Sequence, residues 1–140
     1  MNRSLHLRRS AVRKRIGEFA LVYSTGAASY SILEILWRGF THWTMFFVGG
    51  ACFLAIYINE LFSNGKRLWK RCLVGCLTIT SIEFVAGCII NIALKWNVWD
   101  YSKTKPQFLG QICLLYSALW FFLCIPICSL CKLFRTLFRR

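Results

Sequence analysis

The stretch CLVGCLTITSIEFVAGCIINIAL, residues 72–94, decides the fold. Its one charged residue is Glu83, and it is long enough to cross about 30 Å of hydrocarbon as an α-helix, which takes roughly 20 apolar residues. Three more runs of this kind lie at 17–37, 43–62 and 108–131. They are too long and too uniformly apolar for barrel strands, in which apolar and polar positions alternate. The expected fold class is an all-α integral membrane protein, a bundle of four transmembrane helices. The chain then divides into a basic tail at 1–16, a transmembrane domain at 17–131 and a basic amphipathic tail at 132–140.

Composition agrees. Of 140 residues, 57% are hydrophobic and 16% charged, against about 25% charged in a soluble domain. An ordinary soluble domain and a disordered chain are both excluded. The net charge of +13 raises nucleic acid as a partner, but the placement of the basic residues argues against it. They fall in three short clusters between apolar runs: Arg3, Arg8, Arg9, Arg13, Lys14 and Arg15; Lys66, Arg67, Lys70 and Arg71; Lys132, Arg135, Arg139 and Arg140. Such clusters mark cytoplasmic segments of membrane proteins and attract anionic headgroups. The expected partner is the lipid bilayer, with no nucleic acid.

Charge asymmetry also sets orientation. Of 18 Lys and Arg, only Arg38, Lys95, Lys103 and Lys105 lie in the other two connections. Both termini are therefore expected in the cytoplasm, and a dual topology is disfavoured. Residues 1–28 have the basic start of a signal peptide and small residues at Gly26-Ala27-Ala28. Glu18 interrupts the apolar region and the pattern continues through Leu36, so they read as a retained first span. The segment 132–140 alternates apolar pairs with cations, as an interfacial helix or a stop-transfer anchor would.

A duplication is suggested by Phe47-Val48-Gly49-Gly50-Ala51-Cys52-Phe53-Leu54 beside Phe108-Leu109-Gly110-Gln111-Ile112-Cys113-Leu114-Leu115, with Ile32-Leu33-Glu34-Ile35 beside Ser81-Ile82-Glu83-Phe84. Each half would then be a two-span hairpin in a parallel internal repeat.

Ionisable groups inside a span are costly and mark candidate sites. Glu83 is the deepest charge. At helical steps of four it shares a face with Gly87, Asn91 and Lys95. Glu34, near the outer end of the first span, stands four residues before Arg38, the favourable order for an ion pair, and His42 lies four further on unless Gly39 ends the helix first. Two readings stay open: carboxylates that handle a cation or proton, and polar groups that fasten helices together. Asn59-Glu60, near Lys66 and Arg67, reads as interfacial anchoring. In the outer loops Trp37, Trp43, Trp96, Trp99 and Tyr101 form an aromatic belt. Arg38, His42 and Asp100 are interleaved with them, as in a polar lid or headgroup site. Gly26, Ala27, Ser31, Gly49, Gly50, Gly110, Ser117 and Ala118 are small enough for close helix packing.

Eight cysteines are present and none lies in an outer loop, so disulfides are not expected. Cys72, Cys76, Cys128 and Cys131 fall near the inner face, where two pairs from adjacent helices are candidates for a zinc site; the alternative is Cys as a small hydrophobe, as at Cys52, Cys88 and Cys113. Nucleotide-binding loops and metalloprotease or serine-hydrolase motifs do not occur. An enzyme is not expected, nor a cofactor.

The strings Ser31-Ile32-Leu33-Glu34-Ile35-Leu36-Trp37-Arg38-Gly39, Thr41-His42-Trp43-Thr44-Met45, Ile82-Glu83-Phe84-Val85-Ala86-Gly87 with Asn91, Trp99-Asp100-Tyr101-Ser102 and Leu109-Gly110-Gln111-Ile112-Cys113 resemble, in order, the putative ABC-transporter type IV family of small four-helix membrane proteins. The resemblance covers Tyr23 to Pro126. It implies a multi-pass protein of the cell (plasma) membrane and a transport-related, permease-like component, with no substrate and no catalytic residue. Four spans are few to enclose a pathway, so a homo-oligomer is expected, with a separate ATPase subunit docking on 63–71 or the tails. Two alternatives remain: a lipid-binding, regulatory or scaffolding module, and a small proton-coupled exporter with Glu83 as exchange site. The candidate polar site comprises Glu83, Asn91, Glu34, Arg38, His42 and Asp100.

Overall fold

The computed structural model describes residues 2–63 and 65–138, with side chains from Val12 onward. The side chains of Arg3, Arg8 and Arg9, and residues Arg139 and Arg140, lie outside what is described. Four helices dominate: α1 (Asn2–Arg38), α2 (Trp43–Leu61), α3 (Leu68–Gly87) and α4 (Leu114–Phe138). Within them Val12–Arg38, Trp43–Leu61, Leu68–Ala93 and Leu114–Phe138 are long and apolar enough to cross a membrane. Their outward faces carry exposed side chains such as Leu21, Leu77, Val85 and Leu115, a surface suited to hydrocarbon rather than to water.

Neighbours in sequence run antiparallel. Tyr57 of α2 meets Glu18 of α1, whereas a Cβ on Gly49 would meet Tyr30. Glu60 meets Arg71 across α2 and α3, and Gly75 meets Cys124 across α3 and α4. Chain connections therefore alternate between two ends. One holds the basic loop at 62–67 and is called the basic end; the other holds the connections at 39–42 and 94–113 and is called the aromatic end.

Local chemistry sets the boundaries. α1 stops at Gly39, which takes φ +79° and donates its N–H to the Ile35 carbonyl, the usual role of a glycine just past a helix. His42 then caps α2, its Nδ1 accepting the Thr44 N–H at 3.4 Å. No break separates residues 12–16 from the first span, because nothing there interrupts helical hydrogen bonding. At the other end of the chain α4 runs on through Phe138. There Phe134 packs on Phe53, and Arg135 donates to the Glu60 carbonyl at 3.1 Å. The segment 132–138 is thus fastened to the bundle.

Two expectations are corrected. The fourth span begins at Leu114 rather than 108, because Gln107–Phe108 and Ile112–Cys113 form a small antiparallel hairpin, β1 and β2, with Gln107 opposite Cys113. Leu109 and Gly110 turn it at φ +51° and +67°, values incompatible with an α-helix. The same hairpin breaks the structural match of 47–54 with 108–115, since 47–54 is helix and 108–113 is not.

α3 is followed by a π-helical turn, Cys88–Ala93, which shifts the helical register beyond Gly87. The core is formed by Val22, Met45, Phe53, Ile56, Tyr57, Cys72, Ile79, Cys124 and Cys128 among others.

Candidate functional site

α1 lies tightly on α2 because Gly26 and Gly49 face bulky partners: a Cβ on Gly26 would sit 2.2 Å from the Phe53 Cβ. α3 lies on α4 in the same way at Gly75. α1 and α4, by contrast, meet sparsely and through large rings. Trp37 Nε1 donates to the Tyr116 hydroxyl at 3.3 Å, and the Tyr30 and Trp120 rings lie 5.8 Å apart. These rings hold the two backbones apart and leave a cavity of about 650 Å³.

The cavity is amphipathic. Leu119, Phe122, Leu123 and Pro126 of α4 form an apolar wall, and Glu34, Arg38 and Asp100 lie at the aromatic end. Glu83 of α3 lines it deepest in the span and is only 4% exposed. One carboxylate oxygen accepts from the Tyr30 hydroxyl at 3.0 Å and the other from Trp120 Nε1 at 2.8 Å. One side chain thereby joins α1, α3 and α4 through neutral donors. Among the described residues the ion pairs are Glu34–Arg38 and Glu60–Arg71, so no cation pairs with Glu83.

Glu34 and Arg38 form the expected pair, Nη1 to Oε1 at 2.7 Å. Thr41 also donates to Glu34, and Arg38 Nη2 donates to the Val98 carbonyl at 2.7 Å, which ties the end of α1 to the 94–113 loop. Asp100 is exposed in that loop and accepts from the Ser102 hydroxyl and, at 2.8 Å, the Ser102 N–H. These two hydrogen bonds, the hydroxyl's first, hold its carboxyl below the usual carboxylate range. Tyr101 beside it stacks on Tyr116 at 4.6 Å. Burial first, then the charge of Glu83, keeps its hydroxyl above the ordinary value.

Asn91 and His42 do not line the cavity. Asn91 is buried, but it clamps the loop: Nδ2 donates to the Trp99 carbonyl at 2.9 Å and to Gln111 Oε1 at 2.8 Å, and Oδ1 accepts the Val98 N–H at 2.7 Å. It acts apart from Glu83 because it lies within the π turn, whose register departs from that of α3. His42 caps α2 and packs its ring on Trp43 and Trp96.

Glu60 is corrected from an interfacial anchor. It is 3% exposed and forms a two-point ion pair with Arg71, whose Nε lies 2.9 Å from Oε1. Asn59 binds Thr78 across the same helix pair. For Cys72, Cys76, Cys128 and Cys131 the zinc reading finds no support, since no three His, Cys, Asp or Glu converge among the described residues. All eight thiols are free, and these four fill the space between helices.

Tyr30, Trp120 and Tyr116 were not singled out from the sequence. A signal existed: a Trp N–H or Tyr O–H buried at span depth must find an acceptor, and Glu83 is the carboxylate at that depth.

Residues 9–138 match the family model described as Putative ABC-transporter type IV. The match extends past Tyr23–Pro126 and takes in much of both basic segments. No solved structure matches the chain.

Proposed function

The chain belongs to that family, and from this premise we propose that it is the permease-like membrane component of a transport system, with the α1–α4 cavity as its ligand site. The observation that carries the reading is the cavity itself: an apolar wall along a helix seam that leads to a buried carboxylate with no cationic partner among the described residues. A ligand that sheds water against the wall meets Glu83 at span depth, apart from the Glu34–Arg38 pair and Asp100 at the aromatic end. The reading is non-enzymatic: the ligand is held and passed on, not converted.

In this reading the basic end lies in the cytoplasm and the protein works as an oligomer, since four helices are few to enclose a pathway. Lys66, Arg67, Lys70 and Lys132 are exposed there and face anionic headgroups and a separate ATPase subunit. Affinity purification from native membranes, with retained protein and lipid both identified, tests the proposal. An ATPase subunit retained at fixed stoichiometry supports it. Retained lipid without any ATPase overturns it in favour of a lipid-binding module, a reading the open seam also suits.

A further inference from the structure

We propose that the α1–α4 cavity recognises a lipophilic organic cation, with Glu83 as counter-charge and the surrounding Tyr and Trp rings as its cage. This rests on the reading of the cavity as a ligand site and names the class of ligand.

The charge distribution comes first. The chain carries +13 and only five acidic residues, yet Glu34, Glu83 and Asp100 all line this one cavity. Among the described residues Arg38 is the one cation in its lining, and it is engaged by Glu34 and the Val98 carbonyl. Overall the lining is negative within a strongly basic protein. An anion would face Glu83 with no free cation to receive it. A neutral apolar molecule would gain nothing from the carboxylate.

The rings come second. Tyr30, Trp37, Trp99, Tyr101, Tyr116 and Trp120 line the same space, and the faces of such rings attract cations most strongly where water is excluded. Glu83 spends one hydrogen bond on each of its oxygens, and a carboxylate offers about four acceptor sites, so acceptor capacity remains for a ligand. On α4, Pro126 has no N–H to give the Phe122 carbonyl, and both residues line the cavity. The apolar wall and the lack of three converging ligands among the described residues disfavour a small, strongly hydrated metal ion. They suit a cation spread over an apolar body. Such a cation is either free in the bilayer or the ammonium headgroup of a lipid.

Equilibrium dialysis of radiolabelled tetraphenylphosphonium against purified protein in detergent, with detergent-only blanks, tests this. Saturable binding is expected, and neutral triphenylphosphine oxide should compete poorly. Glu83→Gln, checked for a monodisperse gel-filtration profile and unchanged helix content, should bind more weakly by on the order of tenfold or more. Leu123→Trp, which puts a larger side chain into the cavity from the α4 wall, should weaken binding severalfold. Equal competition by the neutral analogue overturns cation recognition, as does wild-type affinity in Glu83→Gln; the cavity then stands as a ligand site of another class. Undiminished binding in Leu123→Trp overturns the site reading itself. The neutral competitor decides the matter even if Glu83→Gln does not fold. Displacement by phosphatidylethanolamine but not phosphatidylglycerol identifies a lipid headgroup as the source of the cation; displacement by neither identifies a free cation.

Discussion

Glu60 and Arg71 show how a buried charge in this protein depends on its partner. They are 4% and 8% exposed at the side chain, and Cys128 and the backbone-bound Arg135 close over them. Removing one member leaves the other charge unpaired in the interior, at a cost of about 3–5 kcal/mol, whereas replacing both by apolar residues is close to neutral. Glu60→Leu alone should therefore lower the thermal unfolding temperature in detergent sharply, and Glu60→Leu with Arg71→Met should recover most of the loss. Asp100 allows a cleaner electrostatic measurement because it is the chain's only aspartate. Its carboxyl is held below the ordinary value by Ser102. The turn it supports is stabilised above the ordinary aspartate pKa, and that stabilisation is lost as pH falls through the depressed value. Carboxyl carbon-13 NMR of aspartate-labelled protein should show one titration, below the usual range, moving back toward it in Ser102→Ala.

Helix contact in this bundle is decided by where the small residues sit. Gly26 and Gly17 are both in α1, but a Cβ on Gly26 would collide with Phe53 while one on Gly17 meets nothing within 4 Å. Gly26→Ala should destabilise by about 1–3 kcal/mol through overpacking. Gly17→Ala should be neutral or stabilising by up to about 1 kcal/mol, the difference in helix propensity. Thermal unfolding of the two variants side by side separates packing from propensity. The same contrast accounts for the cavity: glycines bring α1 onto α2, and rings keep α1 away from α4.

On the scale of the whole molecule, antiparallel packing puts the 62–67 loop at one end and the 94–113 loop at the other. The Lys and Arg bias between these ends predicts which faces the cytoplasm. A reporter fused after Arg140 should read cytoplasmic, and one inserted at Thr104 should read external. Both on one side would contradict four crossings. The loop at 94–113 is no mere connection, since Asn91 and Arg38 fasten it to the helices and its residues Trp99, Asp100, Tyr101 and Thr104 line the cavity.

Sequence alone determined the number of apolar helices, their approximate extents and the family resemblance, because span length and motif order are local properties. It also fixed the Glu34–Arg38 pair, which needs only one helical turn. Tertiary structure decided the rest. Tyr30 and Trp120 stand 53 and 37 residues from Glu83, and no spacing rule reaches that far. The hairpin at 107–113 looked like span because apolar residues do not distinguish a short strand from a helix when Leu109 and Gly110 set the backbone angles. Asn91 shared a helical face with Glu83 only until the π turn rotated it onto the loop. The cavity is where these non-local contacts fail to close the bundle: helical periodicity says which face of a helix is apolar, and only the packed rings determine how far apart two such faces stand.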